Sequence, residues 1–171
     1  MKGMKYVVIG NSAGAIGCIE GIRQVDQEGS ITLISKEPYH TYSRPLISYY
    51  LLGKTDEERM KYRPGDFYEK HNVQCRLGIS AERIDPMKKE VFLEDGSSVG
   101  YDRLLVATGS NPMVVPIKGL ETVEKKFTFM TLDDAKALEG ELDRTKRVLI
   151  IGAGLIGLKC AEGICRRVRC V

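Results

Sequence analysis

The sequence predicts an α/β chain built on a parallel sheet, with a small antiparallel β meander and the opening of a second unit of the first kind. Three observations predict it. The apolar stretch KYVVIG runs through a small-residue loop into residues of helical period. A second apolar stretch, ITLIS (Ile31 to Ser35), follows within roughly thirty residues, the size of a βαβ unit. RVLIIGAGLIG, from Arg147, then repeats the strand–glycine loop–helix pattern.

KYVVIG has the near-continuous apolar character of strands buried on both faces. From about Ala13 to Gln24, Ile16, Ile19 and Ile22 recur at helical spacing, and VDQEGS breaks the pattern before ITLIS. KEPYHTYSRPLISYYLLGK is rich in tyrosine and carries two prolines, and GDFYEKHN reads as a short helix. From Val73 the text changes to short β segments: VQCRL, AERID, EVFLEDG and SVGYDRLLVATG. The turn Glu94-Asp95-Gly96-Ser97 predicts a hairpin within an antiparallel meander, and RLLVATG returns to the parallel-strand pattern. A linker-like stretch with Pro112 and Pro116 precedes TLDDAKALEGEL, a helix with Thr131 as N-cap. RVLIIGAGLIGLKCAEGI predicts a final strand, loop and helix.

Composition bounds the reading. A chain of 171 residues can bury one core, or one and a half domains. With 43% hydrophobic and 29% charged residues it has the balance of a soluble globular protein. A net charge of +3 is too small to imply a nucleic acid or an anionic membrane as partner. Arg166, Arg167 and Arg169 read as a solvated helix end. No apolar run has the length of a membrane span, and the opening MKGMKYVVIG fits a buried strand better than a secretory leader. The five cysteines form no C-x-x-C pair and have no zinc-ligand spacing with His40 or His71, so reduced cytoplasmic thiols are expected.

The two glycine-rich segments align without a gap. Ile9 falls on Ile151, Gly10 on Gly152, Cys18 on Cys160, Glu20 on Glu162, Gly21 on Gly163 and Ile22 on Ile164. In this register Ser12 matches Gly154 and Ala15 matches Gly157. The second copy is a full G-x-G-x-x-G fingerprint, and the first is the same motif with two small substitutions. The first glycine makes a tight turn, the second lets a pyrophosphate approach the backbone, and the third permits close helix packing. Amides at the helix N-terminus then face the phosphates. One such loop is a weak signal, because many strand–turn–helix joints need glycine for packing alone. Two in register, each after an apolar strand, point to dinucleotides. Glu37, about twenty residues beyond the first loop, is placed to accept ribose hydroxyls; its plain alternative is an exposed loop carboxylate.

These residues resemble a family. Two dinucleotide folds in tandem, a β meander and the Ala107-Thr108-Gly109 motif look like the FAD-dependent pyridine nucleotide–disulfide oxidoreductase superfamily. EPYHTYSRPLISYYLLGK is similar to the E-P-x-x-x-Y-x-R-P-x-L-S pattern of its rubredoxin reductases, ferredoxin reductases and the flavin part of NADH-dependent nitrite reductases. YDRLLVATGSNP is equally typical, and the resemblance covers essentially the whole chain. It implies a Rossmann-like FAD-binding domain, a parallel sheet with a β meander, followed by the start of a second Rossmann-like domain for NAD(P). On that pattern residues 1–110 are the first segment of the FAD domain, 111–145 a linker and helix, and 146–171 the beginning of the NAD(P) domain. Since the helix after Gly157 has no following strand, the chain is expected to be part of a longer one.

The resemblance also implies site residues. Gly10, Ser12, Ala13, Gly14 and Ala15 would lie against the FAD pyrophosphate, and Glu37 would hold the adenosine ribose. Arg44 and Pro45 would border the flavin and pyrophosphate. Ala81 would meet the adenine through its backbone, and Thr108 and Gly109 would close over the cofactor. Gly152, Gly154 and Gly157 would bind the pyrophosphate of NAD(P)H. No cysteine occurs between Ile31 and Gln74, where disulfide-bearing branches place their redox pair. Lys159 stands where many relatives carry a glutamate near the nicotinamide. His40 and Lys54 are lesser candidates, for approach to the flavin and to a phosphate; Tyr49 and Tyr50 read as packing residues.

The implied function is that of an oxidoreductase, whole or in part: hydride passes from NAD(P)H to FAD, and electrons leave to a rubredoxin- or ferredoxin-like protein or a small-molecule acceptor, without a redox-active disulfide. The cofactor carries the hard chemistry, so no acid–base constellation is expected. No nucleic-acid or membrane partner is implied, a homodimer is compatible, and the setting is cytoplasmic. One rival is a non-catalytic dinucleotide-binding module. Another is that the first loop binds NAD, against which the S-R-P segment and the A-T-G strand speak.

Overall fold

The computed structural model describes residues 3–171. Contacts divide the chain into two compact units. The first runs to Tyr42 and resumes over Lys61–Ser110; the second comprises Ser43–Met60 and Asn111–Val171. The segment 43–60, which the sequence reading kept within residues 1–110, thus groups with the C-terminal part of the chain.

In the first unit, strand β1 (Lys5–Ile9) leads into helix α1 (Ala13–Val25) and strand β2 (Ser30–Ser35). Helix α2 (Ile47–Leu51) belongs to the second unit, and the short helix α3 (Phe67–Lys70) returns the chain to the first. Strand β3 (Val73–Leu77) follows, then β4 (Ala81–Asp85), β5 (Glu90–Leu93), β6 (Ser98–Gly100) and β7 (Arg103–Val106). The main sheet has the order β3-β2-β1-β7, with every pair parallel, and β4-β5-β6 form an antiparallel sheet. VQCRL is therefore a parallel strand of the main sheet, beside Ile31 to Ser35, and stands outside the meander. The expected hairpin is present: Gly96 N–H donates to Leu93 O, and Leu93 N–H to Ser97 O.

Alternation along β1 and β2 sorts the core into two layers. Val8, Ile31 and Leu33 pack with Ala15, Ile16 and Ile19 of α1 and with Phe67. Val7, Ile9 and Ile34 face the other way, onto Val91 and Leu93 of the meander. Both faces of the parallel sheet are thus covered, as its unbroken apolar strands require. Side chains of this kind contribute about 1.5–3 kcal/mol each when fully buried.

The turn from α1 to β2 is tied by two side chains. Asp26 accepts hydrogen bonds from the amides of Glu28 (3.0 Å) and Gly29 (2.7 Å) and from the Tyr6 hydroxyl (3.0 Å). Buried Arg23 donates to the carbonyls of His71 (2.7 Å), Asn72 (3.2 Å), Asp26 (3.0 Å) and Gly29 (2.9 Å).

The second unit is helical. A 3-10 turn at Arg44–Leu46 opens into α2, and two further helices follow, α4 (Leu132–Glu139) and α5 (Leu155–Ile164). Thr131 caps α4 as expected: its hydroxyl accepts from Asp134 N–H at 3.1 Å, and the Asp134 carboxylate accepts from Thr131 N–H at 3.0 Å. Ile47, Leu51, Met60, Leu132, Leu138 and Ile164 are buried. A methyl on Gly163 would sit 3.2 Å from Leu51 Cβ, so α2 and α5 lie in close contact.

Two expectations need correction here. RVLIIG does not form a sheet strand: Arg147 makes one parallel bridge with Cys170, and residues 149–151 carry no strand assignment. A parallel ladder needs neighbouring strands, and this unit offers only the Arg169–Cys170 backbone alongside. Arg167 is not a solvated helix end either; it donates to Leu51 O (3.0 Å) and to Glu139 Oε1 (2.8 Å), joining the end of α5 to α2 and α4.

Candidate nucleotide-binding site

Because β2, β1 and β7 run parallel, their carboxyl ends share one edge of the sheet, which carries Gly10, Glu37 and the pair Thr108 and Gly109. Helix α1 carries the chain from β1 to β2, while β7 lies on the other side of β1. Such a switch point opens a crevice at the carboxyl edge.

Gly10 makes the turn out of β1 at φ +116°. Its N–H donates to Ile34 O at 2.8 Å, and a Cβ on it would meet Ala107 O at 2.1 Å. Only glycine satisfies both the dihedral and the space. Ser12 is the N-cap of α1, with extended backbone, and its side chain makes no capping hydrogen bond; the first intrahelical bond runs from Ile16 N–H to Ser12 O at 3.0 Å. Ala13 and Gly14 are exposed, and no acidic residue occupies the first turn. The amides of this turn therefore present partial positive charge at the sheet edge with no side-chain competitor. Ala15 is fully buried beneath them.

Glu37 follows β2 on the same edge. The Tyr42 hydroxyl donates to its Oε2 at 2.5 Å, while its carbonyl accepts from Ser35 Oγ (3.1 Å) and Gly78 N–H (3.4 Å). Ala81 begins β4 and packs against the Val7–Ile9–Ile34 layer. Thr108 and Gly109 are exposed just past β7, Gly109 at φ +74°.

Sequence reasoning missed a group that ties these parts together. Asn11 Nδ2 donates to Tyr39 O (3.1 Å), Tyr68 Oη donates to Asn11 Oδ1 (2.7 Å), and Thr41 N–H donates to Tyr68 Oη (2.9 Å). Burial raises the pKa of the Tyr68 phenol, which keeps it a neutral donor. No motif flagged Asn11 or Tyr68. The tyrosine that meets Glu37 was visible as the Y of the E-P-x-x-x-Y pattern. His40 packs at a tilt against Tyr68, with ring centroids 4.7 Å apart, and its Nε2 is buried.

The remaining predicted residues lie in the second unit, each described within it. Arg44 Nη1 donates to Met130 O at 3.1 Å, and Pro45 follows it as the second residue of the 3-10 turn. Gly152 has the same φ of +116° as Gly10, and Gly154 is the N-cap of α5 as Ser12 is of α1. Leu158 N–H donates to Gly154 O at 3.0 Å, the equivalent of the Ile16–Ser12 bond. A Cβ on Gly157 would lie 2.0 Å from Gly152 O, so this loop is closed to the methyl that the first accepts at Ala15. Lys159 pairs with Glu162 at 2.7 Å and lies 5.1 Å from the Tyr49 ring centroid; Lys54 lies 6.0 Å from the same centroid.

The donor set of the first unit fits the ADP half of a dinucleotide: free-facing amides for phosphate oxygens, a fixed carboxylate for ribose hydroxyls, and a glycine that no side chain can replace. Among the described residues no group of three or more His, Cys, Asp and Glu could hold a metal ion, and no helix is long and apolar enough to cross a membrane.

The chain is similar to known proteins. The chain is 36% identical over 160 residues to the NADH-dependent phenylglyoxylate dehydrogenase subunit epsilon of Aromatoleum evansii, covering 94% of this chain and 38% of that protein. It is 36% identical over 168 residues to the 3-phenylpropionate/cinnamic acid dioxygenase ferredoxin–NAD(+) reductase component of Photorhabdus laumondii subsp. laumondii, covering 96% and 42%. Its structure superposes with a TM-score of 0.85, at 29% identity, on a chain of the covalent putidaredoxin reductase–putidaredoxin complex, covering 98% and 41%. The chain thus spans about two fifths of the length of these relatives. With a glycine loop repeated in one conformation, an acidic residue fixed at the sheet edge, and residues 4–170 matching its family model, the chain belongs to the pyridine nucleotide-disulphide oxidoreductase family.

Proposed function

We propose that the chain is the FAD-binding segment of an NAD(P)H-dependent oxidoreductase that passes electrons to a small redox protein. The observation that carries this reading is the uncapped N-terminus of α1 at the same carboxyl edge of a parallel sheet as Glu37. The amides of Ala13 and Gly14 bind the pyrophosphate oxygens, Ala15 packs beneath them, and Ser12 adds a hydroxyl at the same place. Glu37, oriented by Tyr42, accepts from the adenosine ribose. Ala81 offers its backbone to the adenine, and Thr108 and Gly109 border the cofactor from β7. The family pattern assigns Arg44 and Pro45, which lie in the second unit, to cofactor binding as well. Gly152, Gly154 and Gly157 take the pyrophosphate of NAD(P)H.

FAD supplies the hydride and electron-transfer chemistry when bound. With no cysteine between Ile31 and Gln74, the protein adds no dithiol relay in that stretch. The ferredoxin–NAD(+) reductase relative and the reductase seen with putidaredoxin support a small redox protein as acceptor.

The test is the visible spectrum of the purified chain during titration with FAD. Near-stoichiometric binding with a shifted flavin band is expected, and a chain that leaves the flavin spectrum unchanged overturns the reading.

A further inference from the structure

Asn11 occupies the one position of the first glycine loop between the turn residue Gly10 and the N-cap Ser12, and both ends of its amide are used. Its Nδ2 donates to Tyr39 O, and its Oδ1 accepts from Tyr68 Oη. The donor directions are fixed throughout. Tyr39 O can only accept, so the amide nitrogen faces it. Tyr68 Oη already accepts from Thr41 N–H, so its own proton goes to Asn11 Oδ1. The chain Thr41 N–H to Tyr68 O–H to Asn11 Oδ1 is a cooperative series in a largely buried place: Thr41 is fully buried, and the Tyr68 ring is held edge-on by Phe67 and contacted at a tilt by His40.

This network joins two pieces of chain that meet a dinucleotide at different points. One is the loop whose amides face phosphate. The other is the stretch from Tyr39 to Tyr42, which continues from Glu37 and carries the tyrosine that orients it. Tyr68 stands on a separate helix and touches both pieces through one oxygen. We infer that Tyr68, acting through Asn11, is a positioning residue that holds the phosphate loop and the ribose carboxylate at the spacing of a bound ADP moiety. The inference rests on the reading of this edge as the FAD site. It assigns Tyr68 no contact with the cofactor: the phenol acts on the loop and leaves the cofactor to the amides and Glu37.

A spacing device and a merely stabilising bond differ in what they do to ligands of different reach. Adenosine engages only the Glu37 end, whereas ADP and FAD span both. The 171-residue chain and its Tyr68→Phe, Asn11→Ala and doubly substituted forms are titrated calorimetrically with FAD, ADP and adenosine. Each single substitution is expected to weaken ADP and FAD by about tenfold, the value of one hydrogen bond, while adenosine changes by less than about twofold. The double variant is expected to bind no more weakly than Asn11→Ala alone, because the alanine already removes the Tyr68 bond together with the Asn11–Tyr39 bond. Amide exchange in residues 11–15 of the unliganded Tyr68→Phe chain is expected to quicken. If Tyr68→Phe fails to fold, Asn11→Ala carries the same comparison, since it removes the link and leaves the Tyr68 ring in place. Wild-type FAD binding with unchanged ADP affinity in the variants overturns the inference alone, as does an equal loss for ADP and adenosine. A wild-type chain that binds neither FAD nor ADP overturns the cofactor reading and this inference together.

Discussion

Gly10 lies so close to Ala107 that a Cβ on the glycine would stand 2.1 Å from the alanine carbonyl oxygen, at a backbone φ of +116°. Gly10→Ala must therefore either displace the end of β7 or straighten the loop. The substitution is expected to cost at least about 2 kcal/mol and to abolish FAD binding at concentrations that saturate the wild type. Scanning calorimetry and a flavin titration check the two parts.

Ser12 separates helix capping from phosphate binding. Aspartate is as good an N-cap as serine, so Ser12→Asp is expected to leave unfolding stability within about 0.5 kcal/mol of wild type. Its carboxylate would face the pyrophosphate at close range and raise the FAD dissociation constant by at least about tenfold. Ser12→Gly, the residue of the second loop, is expected to keep FAD affinity within about tenfold of the wild type, since it loses at most one hydrogen bond. Equal affinity of the aspartate variant would remove the phosphates from this helix end.

Arg23 joins three segments, the end of α1, the entry to β2 and the turn after α3, through four backbone carbonyls. An ammonium group cannot span that fork. Arg23→Lys is expected to cost about 2–4 kcal/mol, read as a lower urea midpoint with an unchanged slope.

Asp26 sets an acid limit. Its carboxylate is held below the ordinary value of 3.8, first by the Gly29 and Glu28 amides and then by the Tyr6 hydroxyl. A lowered folded pKa gives stability that is complete above pH 3.8 and lost as pH falls through the folded value. Thermal midpoints of wild type and Asp26→Asn are therefore expected to differ at pH 6 and to converge below pH 3.8.

The first unit was legible in the sequence because its signals are local. Val7, Val8 and Ile9 mark a strand buried on both faces, Ile16 and Ile19 a helix stripe, and Gly10 a turn that only glycine makes. The assignment of VQCRL to the parallel sheet was not legible, since its pairing with β2 depends on a return across the chain and not on its own pattern. RVLIIG shows the opposite case: its residues suit a buried strand, yet a ladder forms only where other strands stand beside it. At the site, Glu37 and the loop followed from spacing. The Asn11–Tyr68 bond joins residues 57 positions apart and left no periodic trace.

Helix α5 turns Cys160 and Ile164 inward and leaves Leu155 75% and Leu158 61% exposed, while Leu149 is 85% and Ile151 58% exposed. A surface this apolar makes the state of the chain depend on how much of it is present. Light scattering is expected to rise with concentration and with sulfate, which strengthens apolar association. Colloidal behaviour, no less than folding, then governs how the isolated chain is stored and measured, and titrations belong in the dilute range where scattering is flat.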